Sequence, residues 1–362
     1  MPMANDDPST SRRSQLNGLK LRALVRDHLG DKSVGDASRF GMGAALLHAG
    51  EAWVYLDDRP ASRLGAALAW AIRSDATGLH VIAESGTGVL ARRAPEFTLP
   101  ISVWHAEGRA LLPAVPEPFV IAPPLPDSHE AFRGLIVAGG AIPLVEHGVL
   151  VGEVRGLEVC RVMEEPETGE VRLEVGVGAH DREAFLIMHG GTPTVDSLRR
   201  VVDAVTEFRV PGAARHPLNR LAAERLIRWQ LEQTPGLVGA EWLVPAEPPV
   251  KRQNVKDPVP CVATGIGIDG RPVVVVCSSG VDLDVIPFAA DARLAINEDA
   301  RLVVVTPARD QLPAIARVAE LLREPRFPLA WITPHDNLGG QVTGQHPEHA
   351  DLTEWMPPGF DP

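Results

Sequence analysis

Three acidic residues in the middle of the chain have the types and spacing of a candidate metal-dependent active site. Glu158 and Glu174 fall in the stretches GLEVCRVM and EVRLEVGVGAHD, whose apolar and polar residues alternate as they do in antiparallel strands. Carboxylates on neighbouring strands can face each other and bind Mg²⁺ or Mn²⁺, and Asp181 is the last residue of the second stretch. Glu158, Glu174 and Asp181 are therefore the candidate catalytic residues, with Glu158 and Glu174 as the candidate metal ligands.

The same acids also have an interpretation that needs no metal. Glu158 and Glu174 each lie between two apolar residues, so they can form the solvent-facing half of an alternating meander. Asp181 can cap a helix that begins at Arg182, because its side chain can accept hydrogen bonds from the first free helical N–H groups. Both interpretations stay open on the sequence alone.

A basic stretch in the second half of the chain is a candidate nucleic-acid interface. Between residues 215 and 256 seven Lys and Arg residues stand against four acids, although the whole chain has a net charge of −12. A net acidic protein repels phosphate backbones at long range, but a local positive patch can still contact them. The candidate contacts are Arg220, Arg225, Arg228, Lys251 and Arg252. The alternative is an ordinary solvated helix face followed by a loop.

The cysteine content and the apolar runs restrict the class of protein. Three cysteines lie far apart, at positions 160, 261 and 277, without the CxxC spacing of a zinc site or the pattern of a disulfide framework. This pattern and the polar N-terminal stretch predict a cytoplasmic protein without a secretory signal. No apolar run is long enough for a membrane span, and no cofactor is expected apart from Mg²⁺ or Mn²⁺ if the protein is an enzyme.

The two ends of the chain share one pattern that must position any such residues. Residues 51–105 and 271–335 both read as strand, small-residue helix, strand, helix, strand. The numbering offset grows from 222 between Trp53 and Val275 to 228 between Pro100 and Pro328, as small insertions in a duplicated unit would produce. The sequence thus predicts an α/β protein, with two similar α/β units that flank a β-rich α+β middle segment.

Composition shifts place the predicted boundaries between these segments. We expect a disordered tail over 1–15, the first α/β unit over 16–112 and a proline-rich linker over 113–126. A β-meander followed by a helix should occupy 127–212, the second α/β unit 213–335, and an irregular tail 336–362.

The second α/β unit resembles a known fold in its order of elements. A helix near 219–233, three strands between 238 and 277, a helix near 282–296 and a strand near 302–306 resemble the restriction-endonuclease-like, PD-(D/E)XK fold, which includes tRNA-endonuclease-like domains. A Rossmann-like doubly wound sheet is the rival for the same pattern. The resemblance implies an acid on the second strand and Glu-x-Lys or Asp-x-Lys on the third.

Several catalytic residues that this resemblance implies are absent from the chain, so the motif is degenerate. The third strand of the second unit, RPVVVVCSSG, has neither acid nor lysine, and the first unit has Asp57 and Asp58 with no lysine after them. In the middle segment the lysine position after Glu174 is Gly176. The sequence therefore favours a degenerate nuclease-like module that binds nucleic acid or a protein partner. The alternatives are a Mg²⁺- or Mn²⁺-dependent phosphodiester hydrolase that uses the middle carboxylates, and a structural or assembly protein without a ligand.

Overall fold

The structure, a computed structural model, describes residues 8–189, 195–209, 218, 221–252, 259–323 and 330–332. Helices alternate with three β-sheets in this part of the chain, so the predicted α/β class is confirmed. The chain divides into two compact units. Unit 1 comprises residues 1–119, 282–291 and 312–324, and unit 2 comprises residues 120–281, 292–311 and 325–362.

The sheet of unit 1 has six strands in sequence order: β1 (Ser38–Phe40), β2 (Gly43–His48), β3 (Glu51–Leu56), β4 (Gly78–Ala83), β5 (Ile101–Glu107) and β6 (Ala110–Pro113). The first three strands are antiparallel, β3, β4 and β5 are parallel, and β6 returns antiparallel to β5. Helix α1 (Pro8–Leu29) precedes the sheet, and α2 (Leu64–Arg73) and α3 (Thr87–Arg93) make the two parallel crossovers.

Helix α1 begins earlier than the sequence predicted. The expected disordered tail over 1–15 is wrong for its last eight residues, because the helix starts at Pro8 and residues 1–7 lie outside the described part. Proline suits a first helical turn, where no backbone N–H needs an internal partner. Leu21 and Leu24 pack on Trp53 in the core of the sheet, whereas Leu16 and Leu19 are exposed.

The predicted meander is a four-stranded antiparallel sheet of unit 2. It contains β7 (Ile142–Glu146), β8 (Val149–Val154), β9 (Leu157–Glu164) and β10 (Val171–Val175), in the order β10-β9-β8-β7. Its short helices are α4 (Asp127–Glu130) and α5 (Arg133–Ala138), and α6 (Gly178–His189) and α7 (Val195–Phe208) follow the last strand. Leu198, Val202 and Val205 of α7 cover Val159 and Leu173, as the apolar spacing of this helix predicts.

The third sheet also belongs to unit 2. After α8 (Ala223–Gln233) come β11 (Ala240–Ala246), β12 (Cys261–Gly267), β13 (Pro272–Cys277), β14 (Arg301–Val305) and β15 (Ala330–Ile332). Helices α9 (Val285–Ile296) and α10 (Pro313–Ala319) follow β13 and β14 in sequence. Ile227 and Leu231 of α8 pack on Ala263 and Val275, so one face of this sheet forms a core with the helix.

The six-stranded and the five-stranded sheet share the same order of antiparallel and parallel strands. In each, a helix precedes three antiparallel strands, and two parallel strands then follow through helical crossovers. This shared layout agrees with the repeated pattern of the sequence, and descent by duplication remains a hypothesis. The predicted boundary at residue 213 differs from the compact units, because the meander and the third sheet belong to one unit. Among the described helices, none is long and apolar enough to cross a membrane.

Candidate functional site

The predicted metal ligands Glu158 and Glu174 share an arginine. Arg161 donates to Glu158 from Nε and Nη2 over 2.7 and 2.9 Å, and Arg172 donates to Glu174 over 3.1 Å. Arg182, at the start of α6, lies 3.1 Å from Glu158 Oε1 and 3.5 Å from Glu174 Oε2. The two carboxylates therefore lie on either side of one guanidinium, that of Arg182, which contacts both of them.

This arrangement does not favour a divalent cation at these carboxylates. Arg182 already supplies positive charge to both groups, and Asp181 beside it is exposed on the first turn of α6. Within the ranges that the structure describes, no group of three or more His, Cys, Asp and Glu side chains is placed to hold a metal. The geometry fits an internal ion-pair cluster better than a hydrolytic centre.

Two arginines of the predicted nucleic-acid interface are buried instead of exposed. On helix α8, Arg225 is 5% exposed and Arg228 is 2% exposed. Arg225 donates to Glu153 over 2.5 Å and to Glu146 over 2.7 Å, and Arg228 donates to the other oxygen of Glu153. The expectation that Arg225 and Arg228 contact nucleic acid from the surface is therefore corrected, because both guanidiniums are inside the protein. They connect α8 to strands β7 and β8 within unit 2.

The remaining candidates of the basic stretch have different positions. Arg252 donates to Glu224 over 2.7 Å, with both side chains largely buried, whereas Lys251 is exposed. Arg220 lies outside the described residues. Of the candidate contacts that the structure describes, only Lys251 presents its charge on the surface.

Burial and charge shift the titration of the acids around Arg228. Burial by itself would raise the pKa of Glu153, but Arg228 and Arg225 outweigh it and hold this pKa below its ordinary value. Burial raises the pKa of Glu232 to about 7, against the pull of Arg228, whose Nε lies 3.0 Å from Glu232 Oε1. The Glu153–Arg225–Arg228–Glu232 cluster, which we call the buried ion network, thus contains one firmly ionised acid and one that titrates near neutrality.

The raised pKa of Glu232 predicts a pH-dependent contribution to stability. The folded state holds this proton up to about pH 7, whereas the unfolded chain releases it near 4.5, so the stabilisation is complete below pH 4.5 and is lost as the pH rises to 7. Relative to Glu232→Gln, the unfolding free energy of the wild type should fall by up to about 3 kcal/mol between pH 5 and pH 8. Urea denaturation of both proteins at the two pH values measures this difference.

A matched variant separates this effect from general titration. Glu241 is exposed on β11, and Glu241→Gln should leave the difference between pH 5 and pH 8 as it is in the wild type. An equal pH dependence in the wild type and in Glu232→Gln would contradict the placement of Glu232 in a desolvated site.

Two cysteines lie beside the buried ion network. Cys261 at the start of β12 is the direct cross-strand partner of Cys277 at the end of β13, and both are buried free thiols. Their position opposite each other was not predicted from the sequence. Both stand eight residues from Asp269, which lies in the turn between β12 and β13, so the symmetry of this hairpin was the signal that could have paired them.

Polar groups also meet where β3 and β4 of unit 1 end. Asp57 accepts hydrogen bonds from Arg13, over 2.6 and 3.0 Å, and from Asn17 over 2.7 Å. Lys20 donates to Tyr55 Oη over 3.0 Å and pairs with Glu84. No lysine closely follows Asp57 in the sequence, but Lys20 of α1 lies near the same edge of the sheet. Its ammonium group is bound to Glu84 and Tyr55.

A second buried ion cluster holds residues 282–291 within unit 1. Arg93 donates to Asp284 over 3.2 Å and to Asp291 over 3.1 Å, and Arg92 makes two bonds of 2.8 and 3.0 Å to Asp291. Asp284 also accepts the backbone N–H of Gly65 over 2.9 Å, at the beginning of α2. These side chains thus find their partners inside unit 1, although burial raises the pKa of Asp284 to about 7 against the pull of Arg93.

An apolar surface lies at the edge of the third sheet. Strand β11 is the end strand of the described sheet, and its Trp242 and Val244 are 47% and 46% exposed. Their cross-strand partners on β12 are Ile266 and Thr264, both partly exposed. We call Trp242, Val244, Thr264 and Ile266 the β11 surface. The β11 surface is mainly apolar and partly exposed, whereas the two buried ion clusters described above pair their charges within the protein.

The chain was compared with family models, curated proteins and solved structures. No family model matches the chain, and no curated protein and no solved structure matches it.

Proposed function

We propose that the protein is a binding module without catalytic activity and that it takes an extended segment of a protein partner along strand β11. The observation that carries this proposal is the half-exposed Trp242 on an end strand of a sheet. An end strand offers unpaired backbone N–H and C=O groups to an added strand, and side-chain pockets beside it provide specificity.

The side chains of the β11 surface suit such a partner. Trp242 and Val244 are two residues apart on one strand, so both lie on the same face of the sheet. Ile266 and Thr264 continue this face on β12. A strand bulge lies between Ala240 and Trp242, and bulges near functional edges commonly change the direction of a side chain. Alternating apolar side chains of an added peptide could cover this face.

The other functions that the sequence allows have less support from the geometry. For a nucleic-acid partner, the described candidates leave Lys251 as the exposed cation, since Arg225 and Arg228 are buried. For hydrolysis, Arg182 contacts both carboxylates that would hold the metal. A nuclease-like origin of the module is part of the proposal and is supported only by the order of its elements. We place the module in the cytoplasm, where its free thiols would stay reduced.

Substitution of the tryptophan tests the proposal. A phage-displayed library of random peptides would be selected on the full chain, and we expect binders in which apolar and polar residues alternate. Trp242→Ala should weaken their binding by about 2 kcal/mol, roughly 30-fold in Kd, because buried aromatic anchors dominate interface energies. Fluorescence polarisation of labelled binders measures the Kd.

The control is Leu112→Ala, which removes a side chain that is 45% exposed on the end strand β6. This variant should bind the selected peptides like the wild type. Selection without binders, or binders that tolerate Trp242→Ala, would contradict the proposal. A gel shift of labelled duplex DNA or RNA that Lys251→Glu abolishes would favour the nucleic-acid alternative instead.

A further inference from the structure

Cys261 and Cys277 stand directly opposite each other at the end of a β-ladder. They form one terminal pair of the β12–β13 register, whose other end is Ile266 opposite Pro272. Cys261 donates its S–H to the carbonyl oxygen of Glu224 over 3.1 Å.

Directly opposite residues on antiparallel strands have the separation that a disulfide requires. Their Cα atoms are about 4.5 or 5.5 Å apart, according to the type of pair, and disulfides usually span about 4.4 to 6.8 Å. Closing this bond would need only a small approach of two strands that are already hydrogen-bonded. No large backbone movement stands between the thiol pair and a covalent bond.

We propose that Cys261 and Cys277 form a reversible cross-strand disulfide when a hydroperoxide oxidises the protein. One thiol loses its proton, and the thiolate attacks the peroxide oxygen to give a sulfenic acid and an alcohol, or water from hydrogen peroxide. The second thiol then attacks this sulfur, the S–S bond forms and water leaves. In total two thiols lose two electrons and two protons, and the peroxide takes up both.

The position of the pair limits when this reaction occurs. Burial raises the pKa of the Cys277 thiol, so few thiolates form while the strands are closed. The pair is nevertheless the last rung of its ladder, and strand ends open locally at a lower free-energy cost than the centre of a sheet. Oxidation should therefore be slow in the native protein, and it does not require global unfolding.

The third cysteine is an internal control. Cys160 is buried on β9 of the four-stranded sheet, and burial raises its pKa to about 12. The residue directly opposite it on β10 is Val175, and on β8 it is Gly152, so neither register partner is a cysteine. We expect Cys160 to stay a free thiol under conditions that oxidise the pair.

Counting thiols tests the proposal on the full chain. Reduced protein would be treated with hydrogen peroxide, unfolded in the presence of N-ethylmaleimide and weighed intact. Reduced protein should carry three adducts, one for each cysteine. Oxidised protein should carry one and should have lost two hydrogen masses, and dithiothreitol should restore all three. Digestion without reductant should release a peptide pair linked through Cys261 and Cys277.

Single substitutions identify the residues involved. Cys160→Ala should still lose two thiols, whereas Cys261→Ala and Cys277→Ala should lose the ability to form the bond. Three persistent adducts, or oxygen additions that dithiothreitol does not reverse, would overturn the proposal. So would a linkage that includes Cys160. The linkage map of the wild-type protein decides the matter even if an alanine variant fails to fold.

Discussion

Replacing Gly65 by alanine should unfold unit 1. A Cβ atom at this position would lie 1.8 Å from the carbonyl oxygen and 2.3 Å from the carbonyl carbon of Leu283. Both are backbone atoms, so no side chain can rotate away to make room. The displaced segment includes Asp284, which caps the first turn of α2 and pairs with Arg93. We expect a loss on the order of 4 kcal/mol or more, which few single substitutions reach.

A glycine in an equivalent helical position gives the control. Gly134 is the second residue of α5, as Gly65 is of α2, but a Cβ there would meet nothing within 4 Å. Gly134→Ala should stabilise the protein by about 0.5 to 1 kcal/mol, because alanine loses less backbone entropy in a helix. Thermal and urea denaturation compare the two variants. A mild effect of Gly65→Ala would mean that residues 282–291 do not pack on α2 as described.

Local patterns in the sequence predicted the sheets well. The alternation around Glu158 and Glu174 predicted the meander, and the order of strands and helices predicted over 51–105 matches β3, α2, β4, α3 and β5. These patterns depend on neighbours along the chain, where side-chain period and turn residues act directly. The start of α1 was missed because polar residues before Leu16 were interpreted as a tail, although a helix tolerates a polar first turn.

The environment of the arginines could not be predicted in the same way. Arg225 and Arg228 lie three residues apart on α8, a spacing that also fits a solvated helix face. Their partner Glu153 is more than 70 residues away in sequence, and a single sequence gives no sign of that contact. The usual exposure of arginine therefore led to a surface interface, whereas tertiary ion pairs placed both residues inside.

This placement changes how nucleic-acid binding should be tested. Charge reversal at Arg225 or Arg228 would put a carboxylate beside Glu153 inside the protein, so the variant would lose its fold before any surface effect appeared. A loss of binding would then report unfolding. Lys251 is exposed, and its reversal tests the surface charge alone.

Glu153→Gln should be among the most destabilising single changes in unit 2. Glu153 is 5% exposed and accepts from both Arg225 and Arg228 through different oxygens. Glutamine keeps the shape but leaves two buried guanidiniums without this carboxylate. Removal of one partner from a buried ion pair costs about 3 to 5 kcal/mol, because the charge that remains is desolvated without compensation. Urea denaturation near pH 7 measures the loss.

The exposed pair of Glu130 and Arg133 is the matched control, because solvent screens this pair and Glu130→Gln should leave the unfolding free energy close to that of the wild type.

The pH dependence of the unfolding free energy is a second, independent test. Since Glu153 has a lowered pKa in the folded state, its stabilisation is present above pH 4.5 and is lost as the pH falls through the folded pKa. The difference between wild type and Glu153→Gln should therefore shrink in acid. A difference that is small at pH 7, or that does not shrink in acid, would show that Glu153 is not the carboxylate that balances Arg225 and Arg228.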